Sequence, residues 1–429
     1  MSSLAAKEAA ADDVLDLIPD HADLIVPLAN GEPPTVIEAI DAGNERLRGV
    51  RIHQMHALYD HPYLHGAYGD RLRHVSYFLS PVTRKPYWEG HVDLVPANFS
   101  ELPRTLRDHT KSSMVLAAAS PPDRHGYFSL GTNADYVAPL IGHAPFFLEV
   151  MDGMPRTSGQ NQLHHSQVAG WIRSDRAPLE VPPSTPDERD EQIAALVAAE
   201  IPDGATIQAG IGGVPNALLA KLSGHRELGV HTELISDGIM DLVELGVVTG
   251  TRKQIWADKI VSTFALGSAR LYDWLDENVA IQLMPVDLVN DPRRIARHHD
   301  FMSINATTEV DLYGQCASET VAGRYWSSSG GQADFARGAM YAERGKAFIV
   351  LHSTTSNGKS RISTALSPGS VVTTLKNTVD HVVTEYGIAR LRGRSFAERA
   401  EALIAIAHPD HREALERGAH ESGILRRRP

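Results

Sequence analysis

The stretch GVHTELISDG, residues 229–238, sets Glu233 among Val230, Leu234 and Ile235, apolar residues that suit a strand, with Asp237-Gly238 as its stop. A carboxylate in such a strand must be paired, shifted in pKa, exposed at a strand end or chemically employed. Upstream, IQAGIGGVPNALLAKL (207–222) reads as strand, glycine-rich turn and helix, the layout that brings backbone amides and a helix N-terminus up to an anion. It resembles a dinucleotide fingerprint, and Glu233 follows about 20 residues on, where that fold carries its ribose-binding acid. The third glycine of that fingerprint, however, is Pro215 here. Gly210, Gly212 and Gly213 clustered at a strand end favour a ligand-facing loop over a turn needed for packing alone. A second small-residue loop, YWSSSGGQADFARGA (325–339), also permits close backbone approach to a ligand and then presents Asp334 and Arg337.

Other chemistries have weaker support. The chain has 21 histidines, crowded at His53, His56, His61, His65 and His74. The His53/His56 spacing suits a metal only on a helix, and no metal-binding motif frames it, so these are read as solvated or structural and no metal site is expected. No Gly-x-Ser-x-Gly elbow occurs, which weighs against a serine hydrolase. Cys316, the single cysteine, lacks a histidine nearby in sequence and reads as a small buried hydrophobe; it precludes an intramolecular disulfide and a multi-thiolate zinc site.

The elements that must position these groups alternate along the chain. DLIVPL, HVSYFLS, SMVLAAAS and PFFLEVMDG read as strands in the first half. In the second half ATIQAGIGG, VHTELIS, KIVSTFALG, VAIQLMPVDLV, AFIVLHS and HVVTEYG do the same, with helices predicted over PNALLAKLSG, GIMDLVELG and SARLYDWLDEN. That alternation predicts α/β architecture with mainly parallel sheets. The proline-rich, polar stretch 173–184 reads as a linker, followed by a helix capped by Thr185, with Pro186 in its first turn and Glu188 as capping-box partner. Two domains, 1–184 and 185–429, follow from it, and SFAERAEALIAIAHPDHREALERGAHESG reads as one amphipathic helix closing the second.

A length of 429 residues, 42% hydrophobic and 22% charged, is that of a globular protein with a full core. A formal net charge of −12 argues against nucleic acid or an anionic membrane as main partner. The first residues are acidic and lack the pattern of a signal peptide, and no apolar run is long enough to span a bilayer. With one cysteine, the expectation is a soluble, cytoplasmic protein.

Taken together, NGEPPTVIEAI, SPPDRHGYFSLGTNADY, IQAGIGGVPNALL, LGVHTELISDGIMDL, PVDLVNDP, SINATTEVDLYGQ, GGQADFARGA, TEYGIARLRG and AEALIAIAHPDHREAL resemble the acetyl-CoA hydrolase/transferase family of class I CoA-transferases, in family order from about residue 30 to 415. The likeness is greatest to the branch of 4-hydroxybutyrate and butyrate CoA-transferases. The resemblance implies two open, mainly parallel α/β domains with the active site between them, and a homodimer. It implies Glu233 as nucleophile in a ping-pong cycle through a glutamyl-CoA thioester, Asn290 as the residue that orients it, and the backbone amides of Val214 and Gly331 as oxyanion donors. CoA contacts carry over to Gly213, Val214, Pro215, Asn216, Ala217, Thr308, Ser327 and Gly331. CoA is then a substrate, exchanged between short-chain carboxylates, with no permanently bound cofactor. Two departures stand out: Ser328-Ser329-Gly330-Gly331 where the family has Gly-x-Gly-Gly, and Ser356 at a CoA-contacting lysine position, which leaves Lys359 as a substitute. Acyl-CoA hydrolysis by the same glutamate is the alternative within the family. A nucleotide-binding regulatory protein built on the glycine loop is the alternative from another class.

Overall fold

A run such as Met114–Ala119, six buried residues in succession, has no polar face to give to water and must lie inside a sheet covered on both sides. The computed structural model, which describes residues 7–426, places it so. The chain clusters into two units, one holding the described residues up to Pro182 with Val261–Val289, the other Pro183–Ile260 with the described residues from Asn290 onward.

In the first unit, strands β1 (Asp23–Val26), β2 (Val50–Met55), β3 (Leu72–Phe78), β4 (Val92–Leu94), β5 (Met114–Ala119), β6 (Phe146–Met151) and β7 (Val168–Ser174) form a seven-stranded sheet in the order β4-β3-β2-β1-β5-β6-β7. Every pairing in it is parallel. Buried Glu149 in β6 breaks the apolar run for a reason: its carboxylate accepts Thr35 N–H at 2.7 Å, Thr35 Oγ1–H at 2.6 Å and Val36 N–H at 3.2 Å. Those amides open helix α1 (Pro34–Ala42), so a strand residue caps a helix that no residue of its own caps.

The crowded histidines lie in this unit and do not share a centre. His53 meets Tyr77 Oη at 3.0 Å and Asp23 at 3.2 Å, and His65 is an exposed partner of Asp60. Burial lowers the pKa of His74 to about 3 and of His56 to about 4, so both are neutral. His61 is the opposite case. Burial opposes its charge, but Asp41 at 3.3 Å and Glu32 at 3.0 Å outweigh it and lift the pKa to about 9.

The second unit holds α2 (Glu188–Ala198), β8 (Thr206–Ala209), α3 (Gly213–Lys221), β9 (Gly229–Val230), α4 (Asp237–Glu244), β10 (Phe301–Ala306), α5 (Gln332–Tyr341), β11 (Lys346–Val350), β12 (His381–Thr384), β13 (Gly387–Arg390), α6 (Phe396–Ala405) and α7 (Pro409–Glu421). Its six-stranded sheet runs β9-β8-β10-β11-β12-β13, parallel except for the final β12–β13 hairpin.

Three local expectations are corrected. Asp187, not Thr185, caps α2: its side chain accepts the Asp190 N–H while Asp190 accepts the Asp187 N–H. VHTELIS is not one strand, because pairing stops after Val230 and resumes only at Leu234–Ile235. The C-terminal helix is two, since Pro409 starts a new helix with His408 as its cap. Cys316 is fully buried and burial pushes its thiol pKa up, which leaves it inert.

The histidine pairing predicts a pH-dependent stability. A raised pKa means the His61 contribution is full below about 6.5 and is lost as pH rises through about 9. His61→Gln should lower Tm at pH 6 by a few degrees, and the deficit should shrink towards pH 10 in thermal melts.

Candidate active site

Because β9, β8, β10, β11 and β12 run parallel, their carboxyl ends lie along one edge of the sheet. Open α/β sheets bind ligands outside that edge. Residues 210–213 follow β8, Glu233 follows β9, Thr308 follows β10, the turn from His352 follows β11 and Glu385 follows β12.

Glu233 occupies the bend between the two short strands rather than the middle of one. Its Oε2 accepts a 3.0 Å hydrogen bond from Asn290 Nδ2. Asn290 is fully buried, at the end of the short helix Val286–Val289, and its Oδ1 has no hydrogen-bond partner among the described residues. That amide orientation is the one compatible with an ionised neighbour, since turning it would set oxygen against oxygen. Desolvation raises the pKa of Glu233, and the Asn290 hydrogen bond partly offsets the rise. The carboxylate is only half-buried by surface area, so it is deprived of water yet still reachable.

Gly331 completes this group. A Cβ there would overlap Glu233 Oε2 and Asn290 Nδ2, so only glycine lets the backbone come so close. Gly331 is also the N-cap of α5, and its own N–H has no partner among the described residues. The other glycine loop is built alike. Gly212, at φ 126°, is the N-cap of α3, in a conformation that L side chains rarely adopt. Val214 and Pro215 sit in the first helical turn, where amides lack intrahelical acceptors and the missing proline N–H costs nothing.

The remaining expected contacts are dispersed over the same unit. Val214, Pro215 and Ala217 are buried in α3, and Asn216 Nδ2 donates to Ser184 O at 2.9 Å. The Thr308 hydroxyl lies 2.6 Å from both Ala317 O and Thr320 O, and Ser327 Oγ donates to Ser318 O at 3.3 Å. Both hydroxyls therefore shape backbone. Ser328 is buried, whereas Ser356 and Lys359 are exposed on the turn after His352. The geometry thus joins Glu233, Asn290 and Gly331 directly, and the other expected residues lie in the loops and helices of the same unit.

Two features escaped sequence reasoning. The Asp190 carboxylate lies against Gly213, where a Cβ would overlap it, and meets His352 Nε2 at 2.8 Å. The Asp-x-x-Asp spacing of a capping box was a usable signal for Asp190; nothing local marks His352. Asp187, Asp190 and His352 bring ligand atoms within 4.8 Å of one another, but those atoms already bond each other and the start of α2. Lys253 is buried without a carboxylate partner among the described residues. Its pKa falls to about 7 through burial, and Nζ donates to Val230 O at 2.8 Å and Lys259 O at 2.6 Å, fixing the strand that leads to Glu233.

The family models for the N-terminal and C-terminal domains of acetyl-CoA hydrolase/transferase match residues 4–179 and 267–419. The chain belongs to the acetyl-CoA hydrolase/transferase family. It is an enzyme of that family. It is 42% identical to succinyl-CoA:cyclohexane-1-carboxylate CoA transferase of Geobacter metallireducens over 92% of this chain and 91% of the relative. It is 37% identical to 4-hydroxybutyrate coenzyme A transferase of Clostridium kluyveri over 94% and 95%. Among solved structures, RipA from Yersinia pestis superposes with a TM-score of 0.93 at 32% identity, covering 99% of both chains.

Two predictions follow from the geometry. Gly331→Ala should lower kcat by roughly a hundredfold while the melting curve stays cooperative, because the added methyl displaces the carboxylate without unfolding the sheet. Since the folded state disfavours ionised Glu233, the fold loses stability as pH rises from the ordinary carboxylate range through the raised pKa. Glu233→Gln should therefore have a higher Tm than the parent at pH 7, with the gain vanishing below about pH 4.

Proposed function

We propose that the protein is an acyl-CoA:carboxylate CoA-transferase working through Glu233. The observation that carries this reading is the partly desolvated Glu233 carboxylate held against the Asn290 amide and the Gly331 backbone. A carboxylate kept from water is a stronger nucleophile, and amide donors beside it suit the charge that develops on an attacked carbonyl.

In this mechanism Glu233 attacks the acyl-CoA carbonyl and the CoA thiolate leaves, giving a mixed anhydride. The thiolate then attacks the glutamyl carbonyl and releases the first carboxylate, leaving a glutamyl-CoA thioester. An acceptor carboxylate attacks that thioester and reverses both steps, so acyl-CoA and free Glu233 are regenerated. Each step exchanges one carboxylate or thiolate for another, and no external base is consumed. Asn290 orients the nucleophile, and the Gly331 and Val214 amides receive the oxyanions. CoA enters and leaves as substrate, and no resident cofactor is required. Substrates are short-chain carboxylates of the acetate, butyrate or 4-hydroxybutyrate type, handled by a cytoplasmic homodimer.

Hydrolysis by the same glutamate differs only in admitting water to the acyl or glutamyl intermediate. Incubating butyryl-CoA with acetate separates the two: a transferase forms acetyl-CoA, a hydrolase free CoA. Borohydride added after butyryl-CoA should reduce one residue, Glu233, as read by peptide mass spectrometry. Transfer activity surviving in Glu233→Ala would refute the mechanism.

A further inference from the structure

Glu233, Asn290 and Gly331 come from three separate segments, and one buried group of rings joins all three. His231 stands two residues before Glu233 and is fully buried. Its ring is stacked on Trp256 at 5.6 Å between centroids and meets Phe301 edge-on at 6.2 Å. Its Nδ1 lies 3.2 Å from Nε2 of His298, which is also fully buried. His298 closes the segment that begins with Asn290. Asp291 caps the short helix Pro292–Ile295, and the His298 N–H donates to Ile295 O at 3.0 Å. Arg294 of that helix lies over the Trp256 ring at 6.0 Å, which ties Trp256 to the same segment.

The rings continue to the helix that presses on Glu233. His298 stacks on Phe301 at 5.9 Å, and Phe301 stacks on Phe335 at 6.2 Å with the planes 9° apart. Phe335 belongs to α5, and its N–H donates to Gly331 O at 3.0 Å, the bond with which that helix begins. Ile295 touches α5 as well, since a Cβ on Gly338 would overlap its side chain. The protons give the histidine pair a direction. Burial, then the charges of His231, Lys253, Arg297 and His299, lowers the pKa of His298 to about 2, so its ring is neutral. Nδ1 of His298 has no hydrogen-bond partner among the described residues. A buried N–H without an acceptor is costly, which puts the single ring proton on Nε2, donated to His231 Nδ1.

We propose that His298 is a positioning residue: its hydrogen bond to His231 and its stack on Phe301 hold the Glu233 bend against the N-terminus of α5, and so set the Glu233 carboxylate against the Gly331 backbone. The effect on turnover rests on the function proposed above; the effect on the surroundings of Glu233 does not. A carboxylate in a space closed to one methyl group tolerates little movement of its mount. Loosening the mount alters the alignment of the reacting atoms and leaves the rest of the substrate's contacts in place, so it appears in kcat rather than KM.

Steady-state transfer from butyryl-CoA to acetate in His298→Leu and His298→Gln tests this directly. Leucine fills the space without a donor, whereas glutamine extends an N–H towards the place of Nε2. His298→Leu should lower kcat by roughly a hundredfold, the cost of a misplacement of about 1 Å, with KM for butyryl-CoA within about twofold. His298→Gln should recover kcat to within about threefold of the parent. A parental kcat in His298→Leu, or no recovery in His298→Gln, would overturn the role. Should His298→Leu fail to fold, His231→Phe is read in its place, since it keeps a ring on Trp256 and removes the same bond. Thermal melts make the test independent of turnover. The Tm gain of Glu233→Gln at pH 7 reports how far the carboxylate is desolvated, and in the His298→Leu background it should fall by about half as the carboxylate reaches water. If the parent shows no transferase activity, that fall alone supports the placement. An unaltered gain overturns it whatever the activity.

Discussion

The placing of one carboxylate beside a helix N-terminus with no side chain between them governs the candidate site. Glu233 Oε2, Asn290 Nδ2 and the Gly331 backbone occupy a space that a single methyl group would overfill. Close packing of this kind fixes geometry to within tenths of an ångström, which hydrogen bonding alone on a solvated surface does not do. The cost is a desolvated acid, visible in the raised pKa of Glu233. A functional group that is expensive to ionise in place is held there by the surrounding fold.

That fold supplies the placement through direction. Parallel strands deliver all their carboxyl ends to one edge, so the glycine loop after β8, the bend after β9 and the turn after β11 must meet there, although more than a hundred residues separate the first from the last in sequence. Lys253 shows how far the scaffold goes to hold the bend. Its ammonium is buried, depressed to about 7 in pKa by desolvation and used to tie the Val230 and Lys259 carbonyls together. Strand β9 is two residues long, too short to be rigid by ladder bonds alone, and this clamp makes up the difference.

The α/β class and most strands were legible because buried parallel strands are apolar runs with few alternatives, as in Met114–Ala119 and Lys346–Val350. Strand β2 was not, since VRIHQM places Arg51, His53 and Gln54 in a sheet where each finds a polar partner from another strand or loop. The bend at Glu233 was hidden for a related reason. Val230 and Leu234 have strand character, and only the lost pairing between them reveals the break. Of the candidate site, the glycine loops and Glu233 could be named from residue types and resemblance. The Asp190–Gly213 contact and the Asp190–His352 hydrogen bond could not, because they join segments far apart in sequence through side chains that look like ordinary surface charge.

The inward-turned hydroxyls of Thr308 and Ser327 bear on how such a site works. A hydroxyl that donates to Ala317 O or Ser318 O has no free proton for a ligand and can only accept. The donors still unspent at this edge are backbone amides such as that of Gly331 and the cationic groups of the β11 turn. An anion approaching the edge therefore meets the Gly331 N–H beside Glu233 and the cationic side chains of the β11 turn. Fixed dipoles need no reorganisation when charge develops on a reacting carbonyl, whereas mobile cations gather and hold a charged substrate. Spending the hydroxyls on the backbone is what separates these two tasks. It leaves the Gly331 amide as a fixed donor beside Glu233 and the side-chain cations as the adaptable charge of the same edge.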